Sequence, residues 1–268
     1  MKNRTFLLLI GLMLVFAVLA CNTINVNLVG ETVRGAGTVI EEGREIGNIS
    51  GVELATVGTL HITSGTGESL RIEAEDNLLD YIQTNVRAGK LVIETREGIN
   101  LRPTKPINYD LTVDRLNSIE ISSSGDVEAG SLQSGSFSID INSSGNLSLS
   151  SLDCTSLKVD ISSSGNVAVD DLKADSISVK VSSSGNLEIL GGQVQQQSIT
   201  ISSSGEYRAR DLASAEAEAN LSSSGTATIR VSERLSGRLT SSGDIRYIGD
   251  PEVNVSTTSS GKAVQINE

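Results

Sequence analysis

A Ser-Ser-Gly triplet recurs through the second half of the chain, and it limits the fold more than any other feature. Its glycines are Gly125, Gly145, Gly165, Gly185, Gly205, Gly225, Gly243 and Gly261. The first five steps between them are 20 residues and the last two are 18. A fixed period of this length marks a stacked repeat, in which one copy cannot bury its apolar side without its neighbours.

The interior of each period says what is stacked. Counting back from each glycine, β-branched residues stand at Ile119, Ile139, Val159, Val179 and Ile199, and again at Ile121, Ile141, Ile161, Val181 and Ile201. Polar residues lie between them: Glu120, Asp140, Asp160, Lys180 and Thr200. Such period-two alternation predicts a half-buried strand. After the glycine it resumes at Val127, Leu147, Val167 and Leu187, and a looser third segment carries Leu132, Leu152, Leu172 and Leu212. Each copy therefore supplies two clear strands and a less regular third side. Stacking them gives an all-β, single-stranded parallel β-helix with rungs of about 20 residues.

The corner between the two clear strands belongs to the triplet. Glycine there is expected to adopt a positive φ. The Asn or Asp that follows it (Asp126, Asn146, Asn166, Asn186 and Asp244) tolerates such turns. Parity along the strand points the first serine of each pair inward and the second outward. Late in the array Ala219, Ala227 and Gly237 replace larger residues, which reads as the tapering of terminal repeats.

Residues 35–116 lack the period but still alternate. Strands are expected around Val52-Glu53-Leu54, Leu60-His61-Ile62 and Leu70 to Ala74, and a hairpin turn at Ala88-Gly89-Lys90. Residues 76–82 hold the one plausible helical turn, and Pro103 and Pro106 mark a loop.

The start of the chain reads as a leader. Lys2 and Arg4 precede an apolar run over residues 6–20, which ends Val18-Leu19-Ala20-Cys21. The run is too short to span a bilayer. The order is that of a bacterial lipobox, so Cys21 is the expected lipidated N-terminus of an extracytoplasmic, membrane-anchored protein. The division that follows is a lipoprotein signal peptide at 1–20, a lipidated tether at 21–34, a non-repeating β region at 35–116 and the repeats at 117–268. Cys154, the other cysteine, then has no partner and reads as an incidental small residue in a polar segment between strands.

Charge and composition narrow the function. The net charge is −12, and −14 once Lys2 and Arg4 are removed, which leaves no basic patch for nucleic acid. Aromatic residues are 3% of the chain and Trp is absent, so platforms for stacking bases are scarce.

The non-repeating region carries a resemblance. The runs Gly35-Ala36-Gly37-Thr38, Arg44-Glu45-Ile46-Gly47-Asn48-Ile49-Ser50-Gly51-Val52, Glu73-Ala74-Glu75-Asp76-Asn77-Leu78-Leu79 and Gly89-Lys90-Leu91-Val92-Ile93, followed by Ser-Ser-Gly rungs, resemble the head-GIN-domain family of auto-transporter adhesins. Ile49 stands where Phe is expected. The resemblance implies a right-handed β-helix, usually exported and lipid-anchored, and it brings no catalytic motif.

Two functions follow. One is a non-enzymatic surface module, an adhesin or envelope scaffold, held by its lipid to a membrane and binding a polysaccharide or an envelope protein. The other is a polysaccharide-binding or polysaccharide-degrading enzyme. Its candidate face is the ladder Glu120, Asp140, Asp160 and Lys180, where like charges lie close without a visible cation and suit weak calcium binding better than catalysis. A hydroxyl-rich solenoid that binds ice or forms filaments is a third and remote reading. No catalytic set, cofactor loop or metal spacing is visible, and His61 reads as a surface strand residue.

Overall fold

The computed structural model describes residues 30–267. Cys21 and the leader lie outside the described residues. Strands from successive coils lie parallel and in register, forming a three-sided β-solenoid as the period predicts.

On the first side the stack begins with β7 (Lys90–Thr95), β3 (Gly51–Ala55) and β10 (Ser118–Ile121). It continues through the ends of β11 (Asp126–Ile141) and β12 (Leu147–Ile161) to β14 (Ser176–Val181), β17 (Gln196–Ile201), β20 (Glu216–Leu221), β22 (Arg234–Leu239) and β24 (Glu252–Thr257).

The second side stacks β9 (Asn108–Val113), β4 (Thr59–Ser64), the starts of β11, β12 and β13 (Asn166–Lys173), then β15 (Asn186–Ile189), β18 (Glu206–Ala209), β21 (Thr226–Arg230), β23 (Asp244–Ile248) and β25 (Ala263–Gln265). The third side is shorter. It comprises parts of β11, β12 and β13, with β16 (Gly192–Gln193) and β19 (Leu212–Ala213).

The stack crosses residue 116, where the sequence period starts. Gly51 to Leu54 pair with Ser118 to Ile121, and Thr59 to Ile62 pair with Asp126 to Ala129. Residues before the repeats thus already form a rung. The chain then turns back, and Leu91 and Ile93 of β7 stack beyond Val52 and Leu54. Antiparallel strands close this end: β6 (Ile82–Arg87) on β7, and β5 (Ser69–Glu75) between β2 (Val39–Arg44) and β9. The turn joining β6 to β7 is Ala88-Gly89, with φ of 51° and 79°. Two consecutive positive values are the two-residue hairpin turn of type I′. β1 (Glu31–Arg34) pairs with β8 (Ile99–Arg102), and the helical turn is α1 (Asp76–Leu79).

The alternating residues named from sequence are the core. Ile119, Ile139, Val159, Val179 and Ile199 are buried, as are Ile121, Ile141, Ile161, Val181 and Ile201. Reading the period missed a third inward row at Phe137, Leu157 and Ile177, which lies on the first side before the β-branched run.

The corner glycines form the expected column, but for a different reason. None of the eight has a positive φ; that conformation belongs to Gly58, their counterpart in the non-repeating rung, at 114°. What the position requires is close approach. A Cβ on Gly125 would lie 2.5 Å from the Thr56 carbonyl oxygen and 2.7 Å from Leu54 Cδ2. In later rungs the collision is with the carbonyl of the glycine one coil earlier. Backbone passes so near backbone at this corner that no side chain fits.

The Asn residues after the glycines also have a different role. Asn146 donates from its N and its Nδ2 to Asp126 Oδ1, each at 2.9 Å. Asn166 Nδ2 donates to Asn146 Oδ1 and Asn186 Nδ2 to Asn166 Oδ1, each at 2.9 Å. They form a side-chain ladder that ties each corner to the one before it.

Among the small residues late in the array, Ala227 complements a large neighbour rather than tapering, whereas Ala219 and Gly237 are in register with each other. Tyr207 is wholly buried, in register with Ala227, and Gln197 is wholly buried, in register with Ala217. A large side chain in one rung is matched by a small one in the next, which keeps the packing dense. Tyr207 donates to Gln197 Oε1 at 2.7 Å, and Gln197 Nε2 donates to Ser214 Oγ at 2.9 Å. Burial pushes the Tyr207 phenol far above its ordinary range, so it stays a donor.

Candidate functional site

The ladder expected on the first side is present. Glu120 pairs with Asp140, Asp140 with Asp160, and Asp160 with Lys180. Glu53 of β3 extends it by one rung beyond Glu120. Strand alternation turns all of them outward, and parallel stacking sets successive members about 4.8 Å apart.

The expectation that these carboxylates lack a cation is corrected. Lys90, from the hairpin of the non-repeating region, reaches Glu120 Oε2 at 2.6 Å and Glu53 Oε2 at 3.7 Å. The hydrogen bond to Glu120 raises the Lys90 pKa above its ordinary value, against the desolvation that lowers it. Farther along, Lys180 lies 3.7 Å from Asp160. Neutral groups take up further lone pairs: Asn142 Nδ2 donates to Glu120 Oε1 at 3.1 Å and Ser138 Oγ to Asp140 Oδ2 at 2.7 Å. Period reading missed Lys90 because its partner is 30 residues away in a segment with no repeat. Among the described residues no group of three or more His, Cys, Asp or Glu side chains could hold a metal ion.

The serines beside the corner divide as parity predicts. Ser124, Ser144, Ser164 and Ser184 are exposed, while Ser123, Ser143, Ser163 and Ser183 are half-buried. Ser143 donates its hydroxyl to the Ser123 carbonyl one rung earlier.

Two other residues are now placed. His61 lies on the outward face of β4, 3.3 Å from Glu128 of the next rung. Cys154 is not in a loop between strands. It lies within β12, is buried, and pairs in register with Ser134. Burial, with Asp153 and Asp175 nearby, pushes its thiol up to about 11, so it is protonated at neutral pH.

The signature runs of the non-repeating region interlock. Glu75 accepts hydrogen bonds from Thr104 Oγ1 at 2.6 Å, from Thr104 N at 2.8 Å and from Lys105 N at 3.3 Å. Asn77 Oδ1 accepts from Ala36 N at 3.1 Å, and Asn77 Nδ2 donates to Arg34 O at 2.9 Å. Any Cβ on Gly35 or Gly37 would collide with the Glu75 or Asp76 carboxylate. These residues hold the capped end together.

No curated protein matches the chain. A crystal structure described as a "putative lipid binding protein" from Parabacteroides distasonis ATCC 8503 is 26% identical, covers 88% of this chain and all of its own, and superposes with a TM-score of 0.82. A "putative adhesin" from Parabacteroides merdae ATCC 43184 is 20% identical, covers 88% of this chain and 99% of its own, and has a TM-score of 0.82. A "putative adhesin" from Parabacteroides distasonis ATCC 8503 is 19% identical, covers 88% and 100%, and has a TM-score of 0.83. The last two likenesses bear on the fold alone. The family model described as "Putative auto-transporter adhesin, head GIN domain" matches residues 48–170 and 155–251, so the chain belongs to that family.

Proposed function

We propose that this chain is an exported, lipid-anchored surface protein that binds an extended polymer, a polysaccharide or an envelope protein, through its solenoid and without catalysis. The observation that carries the reading is the repeated polar surface itself. Rung after rung presents polar side chains in register at a fixed spacing, on a backbone too constrained to rearrange. Single exposed contacts of this kind are weak. Many at fixed spacing add up as multivalent binding. Membership of a family described as adhesins supports a surface location.

The carboxylates of the first side favour binding over hydrolysis. Glu120 and Asp160 are already engaged in ion pairs, 2.6 Å from Lys90 and 3.7 Å from Lys180. The lipid anchor rests on the order Lys2, Arg4, apolar run, Cys21.

The test is retention of the full chain, in detergent, on immobilised polysaccharides and envelope extracts. Retention should rise steeply with polymer length, and the polymer should come back uncleaved. Retention on neither surface, or release of shortened polymer, overturns the proposal. Mass spectrometry of membrane-extracted protein should find Cys21 acylated; an unmodified peptide spanning residues 18–25 as the main species refutes the anchor.

A further inference from the structure

The ladder groups of the first side already bond one another. Three adjoining depressions lie on the third side. A depression of about 710 Å3 is lined by Asp153, Asp171, Lys173, Asp175, Gln193 and Gln195, among others. Two smaller depressions adjoin it and share Asp153. One, of about 340 Å3, also holds Asp171 and Lys173, and the other, of about 380 Å3, reaches Gln133 and Arg115. Together they make one trough that crosses the rungs.

Register gives its direction and length. Gln133, Asp153, Lys173 and Gln193 occupy successive rungs of one outward row. Three rung spacings are about 14 Å. The trough therefore runs along the solenoid axis and is long enough for a chain rather than a single small molecule. Thr155, Asp175 and Gln195 line its other wall, tied rung to rung by Asp175 N to Thr155 O at 3.0 Å and Gln195 N to Asp175 O at 3.0 Å.

Its chemistry is layered. The floor holds Cys154, Leu172 and Ala174, all buried within the core. The rim holds carboxylates, primary amides and one ammonium group. Asp153 and Lys173 face each other at 3.5 Å. A pyranose chain presents hydroxyls that both donate and accept, which this exposed polar lining can meet. Amides supply both complements, and carboxylates accept from hydroxyl pairs. Three carboxylates, Asp153, Asp171 and Asp175, outnumber the two cations, Lys173 and Arg115, and so disfavour a polyanion.

We propose that this trough binds a neutral, hydroxyl-rich glycan chain laid along the solenoid axis. The inference rests on the polymer-binding reading above, and it adds which side binds and what class of polymer.

The test is affinity electrophoresis of the full chain, in detergent, through gels containing a mixed-linkage β-glucan, a galactomannan, dextran or alginate. Retardation is expected in at least one neutral gel and not in alginate. Gln193→Trp, which fills the trough, and the double variant Asp153→Ala with Gln195→Ala should each weaken binding roughly tenfold, because several hydrogen bonds are lost together. Asp140→Asn with Asp160→Asn, on the first side, should change it less than about twofold. All these positions are at least partly exposed, and circular dichroism verifies folding.

If the parent binds a neutral polymer and the trough variants bind equally well, the trough assignment falls while the polymer-binding function stands. Preference for alginate, or loss with the first-side variant alone, has the same meaning. If no neutral glycan binds but an envelope protein does, the glycan inference again falls alone. If nothing binds, both fall.

Discussion

The two halves of this solenoid reach the same cross-section by opposite means. From Ser118 onward, each rung repeats its neighbour, and one solution to the corner is used eight times, from Gly125 to Gly261. Before Ser118, the same rung is built from residues that occur once: Gly58 with its φ of 114° at the corner, Tyr109 in the core, and the Glu75 clamp at the end. Even the order differs, since β7 and β9 stack outside β3 and β4, which precede them in the chain. Repetition makes a rung replaceable. Uniqueness lets an end close, because only a break in the pattern can present antiparallel strands to a parallel edge and cover its unpaired groups.

The strongest break of this comparison is deletion. Removing residues 146–165 takes out one full period and brings Asn166 against Asp126, restoring the side-chain ladder. The variant should fold with a nearly unchanged β-type circular dichroism spectrum and a midpoint within a few degrees of the parent. Removing residues 146–155 alone puts strands against corners in every later rung and should abolish cooperative unfolding. Nothing equivalent is available in the first half, where deleting residues 90–113 removes β7, β8 and β9 and exposes the edge of β3 and β4. Equal behaviour of the two array deletions would show that the 20-residue rung is the wrong unit.

Corner glycines provide the next contrast. Gly165→Val places carbon against the Gly145 carbonyl, with the Ser143 oxygen at 2.8 Å and Ile141 Cγ2 at 2.7 Å even for the first added atom. Backbone cannot move aside in a stacked array, so a loss of about 3 kcal/mol or more is expected in urea unfolding. Gly67 has a φ of 90° with open space around it. There Gly67→Ala should cost only about 1 kcal/mol, through backbone strain. A larger loss at Gly67 than at Gly165 would refute close approach as the requirement of the array.

The buried Tyr207–Gln197 pair is the place where the array behaves like the unique half. Gln197→Leu leaves the buried Tyr207 hydroxyl without its acceptor, while Ser214 keeps its bond to the Arg230 carbonyl, and should cost about 1–3 kcal/mol. Tyr207→Phe should cost a similar amount, and the double variant less than the sum of the two. Strict additivity would show that the two side chains are not coupled.

How much of this was legible in the sequence depended on whether a feature repeats. The strands, the inward rows at Ile121 and Ile141, and the outward row from Glu120 to Lys180 all follow from alternation, and the structure places them as expected. Alternation also gave the strands of residues 51–74. It could not show that β3 stacks on β10, because loop lengths between 64 and 117 hide the register. The corner glycines were found by spacing but explained wrongly. Sequence shows that a side chain is excluded, while torsion and close approach exclude it equally well. Lys90 lies outside the repeats, so no period points to the row it reaches; Tyr207 stands in the periodic inward row after Leu187, and only its hydroxyl's pairing with the buried Gln197 was hidden. The trough was invisible because it lies on the third side, where rungs differ most.

At the capped end, Glu75 tests uniqueness by pH. The hydrogen bond from Thr104 Oγ1, and lesser ones from the N–H groups of Thr104 and Lys105, hold its carboxyl below the ordinary carboxylate range against the opposing effect of burial. A depressed folded pKa contributes stability that is present above the unfolded value and is lost as pH falls through the folded one. Hydrogen exchange in β5 and at Thr104 should therefore quicken in acid before that of the array. Glu75→Gln should remove the acid sensitivity of this end. Simultaneous loss of protection in both halves would refute a separate clamp.

The smallest effect belongs to the ion pair that joins the halves. Lys90 lies between Glu53 and Glu120, so it links the hairpin to the first repeat rung. Lys90→Met keeps the stem and removes the charge, leaving two carboxylates on adjacent rungs. Lys90 is 38% exposed at its side chain, so water and salt screen much of the interaction. The expected loss is about 0.5–1 kcal/mol in dilute buffer and close to nothing in molar salt. Because its folded pKa is raised, the contribution is complete below the ordinary lysine value and fades as pH climbs through the raised one. Lys180→Met, farther along the ladder, offers the control. Lys180 is 60% exposed and 3.7 Å from a single partner, so its removal should be smaller still. If Lys180→Met costs as much as Lys90→Met, the pair at Lys90 is one more rung of the ladder and not the tie between a unique end and a repeated body.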